Sequence, residues 1–247
     1  MSFIDQCYVA LDKQLSEENI MLATSYYHYL LQNHSIKYSD KGHWYAISYP
    51  VIIQLFEATR FEQTESNWVQ RLAMVGSWLP TIINPKLSDE AIRELQSLEE
   101  RFYNVKLEEI GEEIRGERIF KAPNLPAVSI QDFVKATYQI TSGAKRFDGN
   151  LSTTTKLLHF MHPHLFPIYD KKIHNRLFNG EGQQTYQKYH AYIFALRKWL
   201  EDNKETRLSL LKRLAREMNV SVIRIIDCTL FYTEEDLAKA GLSKITV

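Results

Sequence analysis

Cysteine is nearly missing from this chain. There are two in 247 residues, which argues against a disulfide framework and against a cysteine zinc site. Both Cys7 and Cys228 sit inside apolar helical patterns, the setting of reduced, buried thiols. Glycine and proline are also sparse, at nine and seven, and no repeat of solenoid period or low-complexity run occurs, so collagen-like, disordered and repeat architectures are excluded. No apolar run approaches the roughly 18 residues that a membrane helix needs. The N-terminus MSFIDQCYVALDK lacks the basic start and long apolar stretch of a signal peptide, and a cytoplasmic location is expected. The signatures of nucleotide hydrolysis, dinucleotide chemistry, serine hydrolysis and zinc proteolysis (the P-loop, GxGxxG, GxSxG and HExxH) are absent as well.

What is present is helical periodicity from end to end, with 45% hydrophobic residues to fill a core. Ser2, with Asp5 three residues on, opens a helix whose inward face is Phe3, Cys7, Ala10 and Leu11. A tyrosine-rich helix spans 20 to 31. Further helices are expected over 45 to 56, with Pro50 near its start, and over 68 to 79. Ser88 caps an amphipathic helix with Ile92, Leu95, Leu98 and Phe102 inward and Glu90, Glu94, Glu99 and Glu100 on the solvated face. Ser129 and Asp132 form a capping box for a helix ending at Gly143. A long helix from Tyr186 carries Tyr189, Ile193, Leu196, Trp199 and Leu200, two more start near Arg207 and Val222, and Thr233 with Asp236 caps a last one. Valine and isoleucine are too scattered for strands, apart from a short edge pairing over 244 to 247. The expected fold class is all-α.

Net charge is zero, but its distribution is uneven. Residues 1 to 134 hold 12 Lys/Arg against 19 Asp/Glu, residues 135 to 224 hold 16 against 7, and residues 225 to 247 hold 2 against 4. The segment 121 to 128, with Pro123 and Pro126, divides an acidic helical region, 1 to 122, from a basic one, 123 to 247, although one compact domain would also accommodate both. Clustered cations concentrate polyanions and release their counterions, which points to nucleic acid as partner. Neutralisation of the two regions against each other inside the protein is the alternative.

The stretch LSTTTKLLHFMHPHLFPIYDKKIHNR, residues 151 to 176, is the most specific in the chain. A helix from near Ser152 turns Leu157, Leu158 and Phe160 inward, and Pro163 and Pro167 forbid its continuation. Asp170 then stands at the natural N-cap of a second helix through Leu177, where a carboxylate accepts backbone N–H bonds and meets the positive end of the dipole. Capping alone explains an aspartate there; so does catalysis. His159, His162, His164 and His174 lie nearby, but Pro163 changes the path between them and no further ligand completes a tetrahedral set, so no metal and no cofactor is expected.

The phrase Phe166-Pro167-Ile168-Tyr169-Asp170-Lys171-Lys172-Ile173-His174-Asn175-Arg176 resembles the essential-aspartate segment of the helix-hairpin-helix DNA glycosylase superfamily, with Asp170, Ile173 and Arg176 in its spacing. The resemblance covers about thirty residues from Gly143, and the region is also similar to uncharacterised bacterial helical proteins. It departs from the family at the hairpin, where Gly149 has no second glycine beside it. Ser152 lies eighteen residues before Asp170, where bifunctional members carry lysine, and Lys156 comes one helical turn later. The resemblance therefore implies a monofunctional DNA-repair glycosylase or a degenerate, non-catalytic relative. It makes Asp170 the catalytic carboxylate and Tyr138, Phe147, Phe166, Tyr169 and Ser152 the surroundings of a flipped base. Lys145, Arg146, Lys156, Lys171, Lys172 and Arg176 would hold the nucleic acid. A non-enzymatic helical interaction module, with tyrosines such as Tyr26, Tyr27 and Tyr29 on a partner surface, is the competing expectation.

Overall fold

A computed structural model describes residues 2–32, 41–62, 64–79, 87–103, 105–107, 119–120, 128–129, 132, 134–137 and 151–242. The chain is all-α. In order come α1 (Phe3–Gln14), α2 (Glu17–Gln32), α3 (Lys41–Ala58), α4 (Glu65–Gly76), α5 (Asp89–Arg101), α6 (Leu151–Met161), α7 (Lys171–Phe178), α8 (Tyr186–Asp202), α9 (Arg207–Glu217), α10 (Val222–Phe231) and α11 (Glu234–Lys239). Two strands of two residues each, β1 (Ile119–Phe120) and β2 (Val128–Ser129), pair antiparallel. Ser129 ends β2, and Asp132 and residues 134–137 are helical, while the start of that expected helix, its end at Gly143 and the edge pairing over 244 to 247 fall outside the described residues. No helix among the described residues is long and apolar enough to cross a membrane.

The caps are written in the sequence and are realised. At Ser2 and Thr233 the hydroxyl accepts from the backbone N–H three residues on, and the aspartate at that position reaches back to the cap, which satisfies two orphan donors at once. Thr64, Ser88 and Ser221 accept from Asn67, Ala91 and Arg224 in the same manner. The last turn of α7 gives way to Asn179 and Gly180, both at positive φ (51° and 74°), the left-handed conformation that asparagine and glycine tolerate best.

Contacts divide the chain into two compact units, each assembled from separated segments: unit 1 from 1–51, 171–183 and 191–247, and unit 2 from 52–170 and 184–190. This division does not follow the charge boundary at 122, because packing follows the apolar faces and not the surface cations. In unit 1, α10 is the most buried helix, with every residue from Ile223 to Leu230 in the core. It packs on α2, α7 and α9. Cys228, Tyr26, Tyr27, Leu30, Ala46 and Tyr232 share one cluster. Phe3, expected inward, is 48% exposed and instead meets Phe178 edge to face, ring centroids 6.0 Å apart.

Pro50 lies inside α3 and not near its start. A proline has no N–H to give the carbonyl four residues back, here that of Ala46. The Tyr27 hydroxyl donates to that oxygen at 3.4 Å, and Arg224 Nη2 donates to the neighbouring carbonyl of Tyr45 at 3.4 Å. The helix continues because side chains from α2 and α10 supply what the ring withholds.

In unit 2, α4 packs on α6, and Phe160 meets Phe56 and Trp78. The acidic helix α5 buries Ile92, Leu95, Leu98 and Phe102 as its period requires. Glu99 corrects the reading of its other face: it is fully buried. Its carboxylate accepts from Arg71 Nη1 at 2.9 Å and lies 3.5 Å from Arg60 Nε. Arg71, equally buried, also donates to Thr59 Oγ1 at 2.7 Å and to the Phe56 carbonyl at 2.9 Å. Glu99 falls between Ile92 and Leu95 on the helix wheel, on the inward face, and two arginines from outside α5 make its burial tolerable.

Candidate functional site

Unit 2 fixes the loop that leads to Asp170. Residues after α6 must turn at Pro163 and Pro167, which leaves a run of backbone carbonyls without helical partners. Side chains take them. His159 Nδ1 lies 2.8 Å from the Phe166 carbonyl, and since a carbonyl only accepts, Nδ1 carries the proton. The Tyr189 hydroxyl donates to the Pro167 carbonyl at 3.2 Å. The Tyr169 carbonyl accepts from Gln184 Nε2 at 3.1 Å, and the Tyr169 N–H donates to Thr155 Oγ1 at 3.1 Å. The backbone at Phe166, Pro167 and Tyr169 is thus pinned from α6, from α8 and from Gln184, which precedes α8. The Tyr169 and Tyr189 rings stack with centroids 5.7 Å apart, closing the platform from within.

Asp170 itself is half-buried and immediately precedes α7. Lys156, on α6, is 6% exposed, and its ammonium donates to Ser152 Oγ at 3.3 Å, one turn back on the same helix. Burial pulls the Lys156 amine below the usual lysine range, and the negative charge of Asp170 opposes that shift. A buried amine and a half-buried carboxylate therefore act on each other through their charges at the end of a braced loop. Such a pair can stabilise a developing positive charge beside the carboxylate and can shuttle a proton.

Several expected site residues take other roles. Phe166 and Tyr169 have no exposed surface and belong to the core, so neither ring is open to stack on a base. Lys156 is too deep for a phosphate contact. In unit 1, Lys172 Nζ lies 3.7 Å from Asp236 and over the Phe231 ring, 4.1 Å from its centroid. Arg176 donates to Gln14 Oε1 at 3.0 Å and to the Tyr232 carbonyl at 2.6 Å. Both cations are engaged within unit 1, while Lys171 is exposed. Ser152 serves Lys156. Tyr138, Lys145, Arg146 and Phe147 lie outside the described residues. Among the described residues no group of three His, Cys, Asp or Glu side chains converges as a metal site would require.

The bracing residues Thr155, His159, Gln184 and Tyr189 escape a reading by motif. Threonine in an apolar helix and glutamine in a loop carry no signature, and their partners are backbone atoms. The one available signal is the proline pair, which announces carbonyls in need of donors.

A family profile described as a family of unknown function, DUF6308, matches residues 80–233, a span that includes α6, the braced loop and Asp170. No curated protein and no solved structure matches the chain.

Proposed function

The chain belongs to the DUF6308 family, and from its site we propose that it binds DNA and cleaves the N-glycosidic bond of a displaced base, with Asp170 as the catalytic carboxylate. The observation that carries this reading is the placement of Asp170: a half-buried carboxylate at the end of a loop pinned by four side chains, with the buried Lys156 ammonium as its counter-charge. In the reaction the bond from the sugar anomeric carbon to the base nitrogen breaks, and its electron pair leaves with the base. Positive charge grows on the sugar, where a fixed carboxylate stabilises it. Water adds to the anomeric carbon, and its proton passes to Asp170. Lys156 keeps the buried side of the site neutral. The basic block of residues 135 to 224 supports an anionic substrate.

The test is Asp170→Asn, which retains a side chain able to cap α7 but lacks the charge. Its fold should persist with a stability change of at most about 1 kcal/mol. Release of free base from duplexes carrying uracil, alkylated or oxidised bases should fall by about 100-fold or more. Binding of wild-type protein to DNA should weaken with salt, with a log–log slope of about −0.9 per phosphate neutralised. Binding without base release from any of these duplexes would leave a non-catalytic relative. Failure to bind any strand at low salt would leave a protein-interaction module and internal neutralisation of the charge blocks. A borohydride-trapped covalent adduct would make Lys156 or another amine the nucleophile and overturn the monofunctional reading.

A further inference from the structure

Unit 1 contains a pocket of about 320 Å³ to which the proposed reaction gives no task. The end of α1, the first half of α2, the last turn of α7, the end of α10 and α11 line it, so five helices contribute to its wall. Arg176 is its central feature. The guanidinium has five N–H donors in a planar fork, of which two are taken by the Gln14 side-chain oxygen and the Tyr232 carbonyl. Both acceptors are neutral. Among the described residues no carboxylate forms an ion pair with this half-buried cation; Asp236, the nearest candidate by charge, is held by Lys172 and by the cap at Thr233. Burial consequently depresses the Arg176 pKa, against the more distant charges of Asp236 and Glu234.

A half-buried guanidinium held in place by neutral groups is a preorganised anion receptor, since its orientation is fixed before the anion arrives. Lys13 adds a second cation at the exposed edge of the same pocket. Two cations suit a dianion. Glu234 and Thr229 also line the pocket; a carboxylate there disfavours a second anionic group, and both side chains carry oxygens of a kind that accepts from hydroxyls. We propose that this pocket binds a small phosphomonoester carrying hydroxyl groups, of sugar-phosphate size, with its phosphate on Arg176 and Lys13 and its hydroxyls toward Glu234. The volume lies at the small end of ligand sites and fits such a molecule, not a nucleic-acid strand.

Calorimetric titration of the full chain with ribose 5-phosphate and glucose 6-phosphate, each against its parent sugar, citrate and inorganic phosphate at equal ionic strength, tests this. Saturable binding of a sugar phosphate is expected, at least about ten-fold tighter than the sugar or citrate, since a charge-assisted fork is worth that much. Arg176→Lys should weaken it because the fork is lost while the charge remains, and Lys13→Ala should weaken it less. Lys13 is exposed, so that variant folds, and a ligand-induced shift of the Arg176 Nε–H resonance in the wild-type protein decides the matter if the Arg176 variant does not. Equal binding of citrate, no binding of either sugar phosphate, or affinity indifferent to both substitutions would overturn the proposal. None of these outcomes depends on whether DNA is bound or a base released.

Discussion

Arg71 and Arg176 are both arginines withdrawn from water, one in each compact unit, and they are stabilised in opposite ways. Arg71 is fully buried and meets a fully buried carboxylate, Glu99, and also donates to a hydroxyl and a carbonyl. Arg176 is half-buried and, among the described residues, donates to an amide oxygen and a carbonyl oxygen. A cation neutralised inside the protein has no charge left to offer; one held by neutral dipoles keeps its charge for a partner. The first arrangement contributes to the structure of unit 2, and the second leaves unit 1 with a receptor. Lys156 stands between them in kind, for it is buried like Arg71, yet its counter-charge Asp170 is half-open to solvent.

The contrast breaks most sharply at Glu99. Glu99→Gln removes the counter-charge of two buried arginines and should destabilise the protein by about 3 to 5 kcal/mol in urea unfolding. Arg176→Gln, by comparison, removes two hydrogen bonds to neutral acceptors and should lose about 1 to 2 kcal/mol. Equal losses for the two substitutions would end the distinction.

Acid sharpens it next. His162 lies in unit 2 near the arginines of this cluster, and burial together with the cations of Arg60 and Arg71 lowers its pKa from 6.5 to about 3. Between these values the unfolded chain takes up a proton that the folded one refuses. Stability is therefore whole above about pH 6.5 and declines as pH falls, by up to about 1.4 kcal/mol per unit within the window. His162→Gln should flatten that part of the stability curve. A profile unchanged by the substitution would show that neither burial nor the arginine cluster holds this ring neutral.

Smaller effects measure how little of either unit rests on its surface. Ser221→Ala removes the cap of α10 in unit 1, and Ser88→Ala that of α5 in unit 2; each should lose about 1 kcal/mol, read as a shift in denaturation midpoint. Arg213 and Glu217 form an exposed pair one turn apart on α9, 3.8 Å between charged atoms. Its double-mutant cycle should give a coupling of no more than about 0.5 kcal/mol, vanishing at high salt.

Helices and caps were legible in the sequence because both are local. Ser2 with Asp5 and Thr233 with Asp236 specify their own geometry within four residues, and the 3.6-residue period places Leu95 and Phe102 inward without reference to anything distant. Glu99 shows where that local reading stops: the period puts it on the inward face, but the charge that lets a carboxylate stay there comes from Arg71, 28 residues away. The candidate site divides along the same line. Asp170 stands out from its proline-bounded setting, whereas the neighbours that orient it come from α6 and from the start of α8, brought together only by folding. Lys172 and Arg176 look like free cations in a basic phrase, and their engagement depends on Asp236, Phe231, Gln14 and Tyr232, none of which is near them in the chain.

The proline inside α3 has a consequence under alkaline conditions. An amide donor never loses its proton in the range where proteins fold, but the phenol that replaces it at Ala46 can in principle ionise. Burial raises the Tyr27 pKa above its ordinary value of 10, so the substitute donor stays protonated at a pH where an exposed tyrosine has become phenolate. Alkaline difference spectroscopy should accordingly find this phenol among the late titrators, and α3 should remain continuous after the surface tyrosines have ionised.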